Sequence, residues 1–237
     1  MKKINKVLNY KLLVFIIFTL SLSTSYSQSI RVPKANLLNK LKVGNHNFVK
    51  NDLAKFDFLE QREVLSKGQH PETIIVTCSD SRVAPEYIYN TGLGELFVIR
   101  VAGNVVDDVA LGSIEYAVEH LKAKQIVVMG HSACGAVTAS LKGETESPYI
   151  NSIIKIIKPA ATEAKEKCHS DSEALMYAIK QNVINQIKIM HKSKIISEAL
   201  ESGEISIWGA IYNIASGQVE FIESNEQPDK QKGDSHD

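Results

Sequence analysis

Cysteine is scarce in this chain: three among 237 residues, at positions 78, 134 and 168. An odd, small number cannot build a disulfide framework, and no C-x-x-C occurs, which argues against a thiol-redox protein. Charge of one sign is missing too. Lys plus Arg and Asp plus Glu both number 27, so there is no clustered positive field for a phosphate backbone. Aromatic residues make up only 7%, too few for a base-stacking surface, and nucleic-acid binding is set aside. Repeats and low-complexity blocks are absent. The one long apolar run, Leu12 to Leu20, is too short to cross a bilayer comfortably.

That run has basic residues on one side (Lys2, Lys3, Lys6 and Lys11) and small residues on the other, with Ser25 and Ser27 just before Gln28. Charged, apolar, then small at −3 and −1 is the pattern of a secretory signal peptide over residues 1–27; the alternative is an uncleaved anchor. No cysteine follows the run, which excludes a lipid-modified cysteine at the new terminus. Cleavage removes four of the 27 basic residues and leaves 23 against 27 acidic, a net charge of −4. The expected product is a secreted, periplasmic protein with no stable membrane insertion. One domain spans residues 28–226, and a polar, charged tail covers 227–237. Export normally favours disulfides. Two cysteines beside polar motifs in such a compartment instead suggest metal ligation.

Residues 34–67 carry apolar side chains at helical spacing (Leu37, Leu41, Phe48, Leu59 and Leu65 among them). The pattern predicts two helices broken near Gly44-Asn45. Thr73–Thr77, Leu96–Val101, Ile126–Met129 and Ile205–Tyr212 read as strands, and Val219–Ile222 as an antiparallel edge strand after the Ser216-Gly217 turn. Helical spacing recurs over 105–121, 133–141, 149–166 and 172–201, with Pro159 marking a break or kink. Strands alternating with helices predict an α/β fold. Its mostly parallel central sheet has about four strands plus an antiparallel edge strand, with helices on both faces and an N-terminal helical arm.

Three of these strands run into unusual polar residues: Cys78-Ser79-Asp80-Ser81-Arg82, Ala102-Gly103-Asn104, and Gly130-His131-Ser132-Ala133-Cys134-Gly135. In open α/β sheets, ligands bind beyond the carboxyl ends of the strands. His131 and Cys134, two residues apart at the mouth of a helix, can face one metal ion, and Cys78 can join them from a neighbouring strand end. Three protein ligands with one open position is the pattern of a catalytic zinc site, and two thiolates with an imidazole suit zinc better than magnesium or calcium. A helix N-terminus would also lower the pKa of Cys134. Taken singly, each cysteine reads as a small core residue; the two motifs together favour the metal. Asp80 and Arg82 lie on one side of an extended segment, and pairing of the two would hold Asp80 ionised and aimed at a metal-activated water. A surface ion pair is the plainer alternative.

The Cys78–Arg82 and Gly130–Gly135 motifs, with Gly92-Leu93-Gly94-Glu95-Leu96-Phe97-Val98-Ile99-Arg100-Val101-Ala102-Gly103-Asn104 between them, resemble the β-class carbonic anhydrases, in particular the plant-type branch. The resemblance covers roughly residues 35–222. It implies one Zn2+ per subunit, held by Cys78, His131 and Cys134, with Asp80 and Arg82 as the catalytic dyad. The activity implied is reversible hydration of carbon dioxide to bicarbonate and a proton by attack of a zinc-bound hydroxide. Gln69, Phe97, Tyr116 and the Gly135 amide match substrate-binding positions. A homodimer or higher homo-oligomer is implied as well, with pocket walls partly shared between subunits. The site is expected to be open, with Asp80 off the metal. Hydrolysis of carbon disulfide or carbonyl sulfide on the same fold, and a non-catalytic zinc-binding interaction protein, are the alternatives. His46, His70, His120, His169 and His191 match no ligand position, and Cys168 is expected to be a free thiol.

Overall fold

The computed structural model describes residues 34–143 and 145–222. The expected signal peptide and the polar tail lie outside the described residues.

Five strands, β1 (Thr73–Thr77), β2 (Leu96–Arg100), β3 (Gln125–His131), β4 (Ser206–Tyr212) and β5 (Val219–Ile222), form one sheet in the order β2-β1-β3-β4-β5. The first four are parallel, and β5 pairs antiparallel with β4. Every residue of β1 and β3 is buried, so these central strands read as continuous apolar runs without alternation, as parallel strands covered on both faces do.

Eight α-helices surround the sheet among the described residues: α1 (Lys34–Val49), α2 (Phe58–Leu65), α3 (Pro85–Ile88), α4 (Asp108–Glu119), α5 (Gly135–Lys142), α6 (Pro148–Lys167), α7 (Asp171–Met190) and α8 (Lys194–Glu201). A short 3-10 turn covers Ala102–Asn104. The caps are written in the sequence. The side chains of Asp57, Asp107, Ser147, Ser170 and Ser193 each accept a backbone N–H from the first turn of the helix that follows.

One face of the sheet presents Ile74, Val76, Ile99, Ile126, Val128 and Ile207 to Ile114 and Ala117 of α4, Val183 and Met190 of α7 and Ile196 of α8. The other presents Ile75, Val127, Met129 and Ala210 to Leu41 of α1 and to Val83, Ile88 and Tyr89 around α3. Helix α2 buries none of its residues, and Phe58, Leu59 and Val64 stay exposed.

Two expectations are corrected. The N-terminal region does form two helices, but α1 runs unbroken through Gly44-Asn45, and the break falls between Val49 and Phe58. Gly44 is there for proximity: a Cβ at this position would sit 1.9 Å from the Tyr89 carbonyl oxygen, so only glycine lets α1 approach α3 so closely. Asn45 then bolts the helix down. Its Nδ2 donates to the carbonyls of Ile88 (3.2 Å) and Gly217 (2.8 Å), and its Oδ1 accepts from the Val219 amide (2.9 Å). Of the break or kink expected at Pro159, the break does not occur: α6 is one helix of 20 residues, with Ala160, Ala161 and Ala164 buried beyond the proline. Tertiary packing of that apolar side outweighs the lost backbone hydrogen bond.

Candidate metal centre

The strand order puts β1 beside β3, with Thr77 level with Met129. Cys78 therefore leaves the sheet next to the end of β3, where His131 is the last residue. The buried Thr77 hydroxyl donates to the Met129 carbonyl (2.9 Å) and ties the two ends together. Beyond His131 the chain reverses at once. Ser132 donates its amide to Tyr212 (2.9 Å), its hydroxyl accepts from Ile214 (3.0 Å), and Ala133 adopts a left-handed backbone at φ 55°. That conformation is costly for a residue with a Cβ. Here it delivers Cys134 to the N-cap of α5, facing back toward β1.

The Sγ atoms of Cys78 and Cys134 and a ring nitrogen of His131 all lie within 4.8 Å of one another, and all three residues are buried. His131 Nδ1 sits 2.9 Å from the Ser132 carbonyl. The tautomer that donates there leaves an Nε2 lone pair, and Nε2 is buried with no hydrogen-bond partner. A buried acceptor without a donor is expensive unless something else takes its lone pair. Two sulfurs and that nitrogen, converging in an enclosed site, fit a soft divalent cation such as zinc.

Electrostatics support the same reading. The Cys78 thiol is pulled down to about 4, first by hydrogen bonding with Cys134, against burial, and then by His131 and the amides of Gly103 and Asp80. Cys134 is pushed up, first by its Cys78 neighbour and then by burial, although the Val137 and Ala136 amides at the start of α5 pull the other way. The helix N-terminus thus acts on Cys134 in the expected direction, but the adjacent sulfur overrides it. Two sulfurs in contact share one proton, which a cation would displace. Burial lowers the pKa of His131, but the Cys78 sulfur, the Ser132 carbonyl and Asp80 outweigh it, and the net shift is upward.

Asp80 and Arg82 form the expected pair, by a different route. The Asp80 carbonyl accepts from the Val83 amide (3.0 Å), and Oδ1 accepts from the Arg82 amide (3.0 Å), so the segment is a turn and not an extended stretch. Within it Arg82 Nε donates to Oδ1 (2.9 Å) and Nη2 to Oδ2 (2.7 Å), a two-pronged charge-assisted contact. These bonds, above all those from the guanidinium, hold the Asp80 carboxyl well below the usual carboxylate range. Asp80 Oδ2 lies 3.9 Å from His131 Nε2, so the carboxylate borders the cluster without joining the group of three. The Asp80 side chain is 16% exposed, but that of Arg82 is 51% exposed in the single chain.

Of the remaining candidates, Gly135 follows Cys134 directly, and the other three occupy separate elements. Gln69 is exposed in the link between α2 and β1. Phe97 and Tyr116 meet each other, with ring centroids 6.5 Å apart, but Phe97 packs on the core under α4 and Tyr116 is 48% exposed. Gly135 is exposed at the first position of α5, with open space where a Cβ would be. A cavity of about 520 Å³ between α1, α7 and the β4–β5 hairpin touches Ser132 but none of the three cluster residues. Cys168 caps the C-terminus of α6, outside the cluster.

Sequence reasoning missed Arg100. Its Nη2 donates to the Asp80 carbonyl (2.7 Å) and its Nε to the Cys78 carbonyl (3.3 Å), which braces the ligand-bearing turn from the end of β2. The signal available was a lone cation ending an apolar strand. Also missed was the Gly103 amide, which donates to Cys78 Sγ (3.2 Å).

A family model described as carbonic anhydrase matches residues 73–219. A carbonic anhydrase from Mycolicibacterium smegmatis is 37% identical over 186 residues, which cover 76% of this chain and 89% of that protein. The solved β-carbonic anhydrase CcaA superposes with a TM-score of 0.66 at 28% identity, over 80% of this chain and 94% of the other. The tetrameric β-carbonic anhydrases of the filamentous ascomycete Sordaria macrospora give a TM-score of 0.65 at 27% identity, over 80% and 95%.

Proposed function

The chain belongs to the β-class carbonic anhydrase family, and from that membership we propose that it catalyses the reversible, zinc-dependent hydration of carbon dioxide to bicarbonate and a proton. The observation that carries the reading is the meeting of Cys78, His131 and Cys134 within 4.8 Å, with a buried imidazole nitrogen left unpaired. These three residues would hold the metal, one per subunit. When bound, zinc supplies a Lewis acid that makes water ionise near neutral pH.

The other residues do the positioning. Asp80, kept ionised by Arg82, accepts a hydrogen bond from the attacking water and so fixes the direction of its lone pair. Arg82 engages both oxygens of Asp80, which supports an open site that the carboxylate would not join as a ligand. The Gly135 amide, at the start of α5 with open space beside it, donates to a substrate oxygen. Gln69 donates to the other oxygen, and Phe97 and Tyr116 form the apolar wall. The family resemblance implies pocket walls partly shared between subunits, so a second copy is a natural source of part of that wall. The uncovered Phe58, Leu59 and Val64 of α2 and Val109 of α4 support a homodimer or higher homo-oligomer. Export to the periplasm rests on the charged, apolar, then small pattern of residues 1–27; N-terminal sequencing of the mature protein should begin at Gln28.

Stopped-flow hydration of carbon dioxide on the purified mature protein, alongside metal analysis, tests the proposal. One zinc per chain with catalysis above buffer is expected. Stoichiometric zinc without hydration would favour the non-catalytic alternative.

A further inference from the structure

Helix α7 turns an apolar side toward the sheet, with Ile179, Val183 and Met190 fully buried. Between them, at 0% exposure, lie two carboxamides, Asn182 and Gln186, one helical turn apart. Leucine or methionine would serve the core at lower cost, because a buried amide must find partners for every polar atom.

These two find them in one place. Gln186 Nε2 donates to Asn182 Oδ1 (2.9 Å), Asn182 Nδ2 donates to the Gly103 carbonyl (2.8 Å), and the Val106 amide donates to Gln186 Oε1 (2.9 Å). Both ends of this short ladder therefore grip the segment that follows β2. That segment needs gripping. Gly103 and Asn104 are both left-handed, at φ 69° and 47°, and the buried Asn104 Nδ2 has no partner. From this turn the Gly103 amide donates to Cys78 Sγ at 3.2 Å.

The structure assigns to Asn182 and Gln186 the role of positioning residues for the metal centre: they hold the Gly103 turn so that its amide donates to the Cys78 sulfur. The assignment rests on the reading of Cys78, His131 and Cys134 as the ligand set. A hydrogen bond to a ligating sulfur draws electron density away from it. It steadies the sulfur's place in the site and raises the energy needed to move an electron from sulfur to metal. Loss of a partner one step removed from the metal, here the Gly103 amide, changes affinity by about 10-fold to 100-fold, and Asn182 and Gln186 act on that amide from one step further back.

Cobalt(II) in place of zinc in the full mature chain makes the bond visible as a sulfur-to-cobalt charge-transfer band. Asn182→Leu, which removes the grip on Gly103, should shift that band to lower energy and weaken zinc by about 10-fold or more in competition with a chromophoric chelator. Gln186→Met should act in the same direction but less. Val183→Ala, a core deletion on the same helix, should lower stability with the band unmoved. Absence of the band in the unsubstituted protein would refute the ligand set itself. A band present but unchanged in folded Asn182→Leu and Gln186→Met, with zinc affinity within twofold, would overturn the positioning role. If Asn182→Leu does not fold, Gln186→Met decides. If neither folds while Val183→Ala does, the pair serves the core and the assignment is wrong.

Discussion

Gly103→Ala puts two separable costs on one methyl group. The backbone there stands at φ 69°, which costs a residue with a Cβ about 1–2 kcal/mol. The new Cβ would also lie 2.6 Å from Ile157 Cδ1 and 3.1 Å from Ala136 Cβ, so the buried Ile157 side chain or α5 must give way. Overpacking of this kind costs about 1–3 kcal/mol. Destabilisation of about 2–5 kcal/mol is expected from urea unfolding of metal-free protein, at fixed protein concentration in case the chains associate. The two parts come apart in a double-mutant cycle. Ile157→Val removes Cδ1 and alone should cost about 0.5–1.5 kcal/mol. In the Gly103→Ala background the same change relieves the clash, so it should cost nothing or stabilise. The double variant keeps the backbone cost and the approach to Ala136, so its deficit should lie at or below that of Gly103→Ala. Additivity of the two substitutions within about 0.5 kcal/mol would refute the reasoning, because independent sites add and touching ones do not.

Cys134→Ser should leave the purified protein with substoichiometric zinc and background turnover, checked by metal analysis and stopped-flow. Arg82→Ala should keep one zinc per chain but lose most turnover, since Asp80 loses its orienting bonds. Because Arg82 depresses the Asp80 pKa, the pair adds stability that is fully present above the unfolded carboxylate value and fades as pH falls through the lower folded one. The stability gap between the parent and Arg82→Ala should therefore be flat above pH about 5 and close as pH drops below 3.8, measured by urea titration at several pH values. Asn45→Ala frees the Ile88 and Gly217 carbonyls and the Val219 amide together. A loss of about 2–4 kcal/mol is expected, with hydrogen exchange quickening in α1 before it does in β1 or β3.

The strands were legible because central parallel strands need apolar side chains on both faces, and β1 and β3 say so with unbroken runs. The helix boundaries were less so, because Gly44 and Pro159 carry local meanings that packing reverses. A glycine chosen for close approach to Tyr89 looks, in sequence, like a glycine chosen to end a helix. The three cluster residues could be read because Cys78 follows β1 directly, His131 ends β3 and Cys134 stands three residues beyond it, so chain direction brings all three to the same sheet edge. Asn182, Gln186 and Arg100 could not. Apart from the Asn182–Gln186 bond itself, their partners are backbone groups 20 to 80 positions away, and an amide on a helix far from any motif looks like a solvated one. Gln69, Phe97 and Tyr116 came only from family resemblance, and within a single chain nothing local would have singled them out.

The left-handed residues near the cluster explain why recognition concentrated in so few positions. Gly103 and Asn104 follow β2 and Ala133 follows β3, each within two to four residues of a strand end. Parallel strands stop at the same edge but leave it in the same direction, so a ligand set closes there when the chain bends back within a few residues. After β1 the turn closed by Asp80 and Val83 makes the bend without a left-handed residue, whereas after β2 and β3 the bend runs through left-handed ones. The Ser132 hydrogen bonds to β4 and the loop beyond it hold one such bend, and the Asn182–Gln186 ladder from α7 holds the other. Strain at the sheet edge is thus offset by polar contacts set well behind it. The motif shows where the chemistry sits, while the residues that keep it in shape are scattered through elements that carry no motif at all.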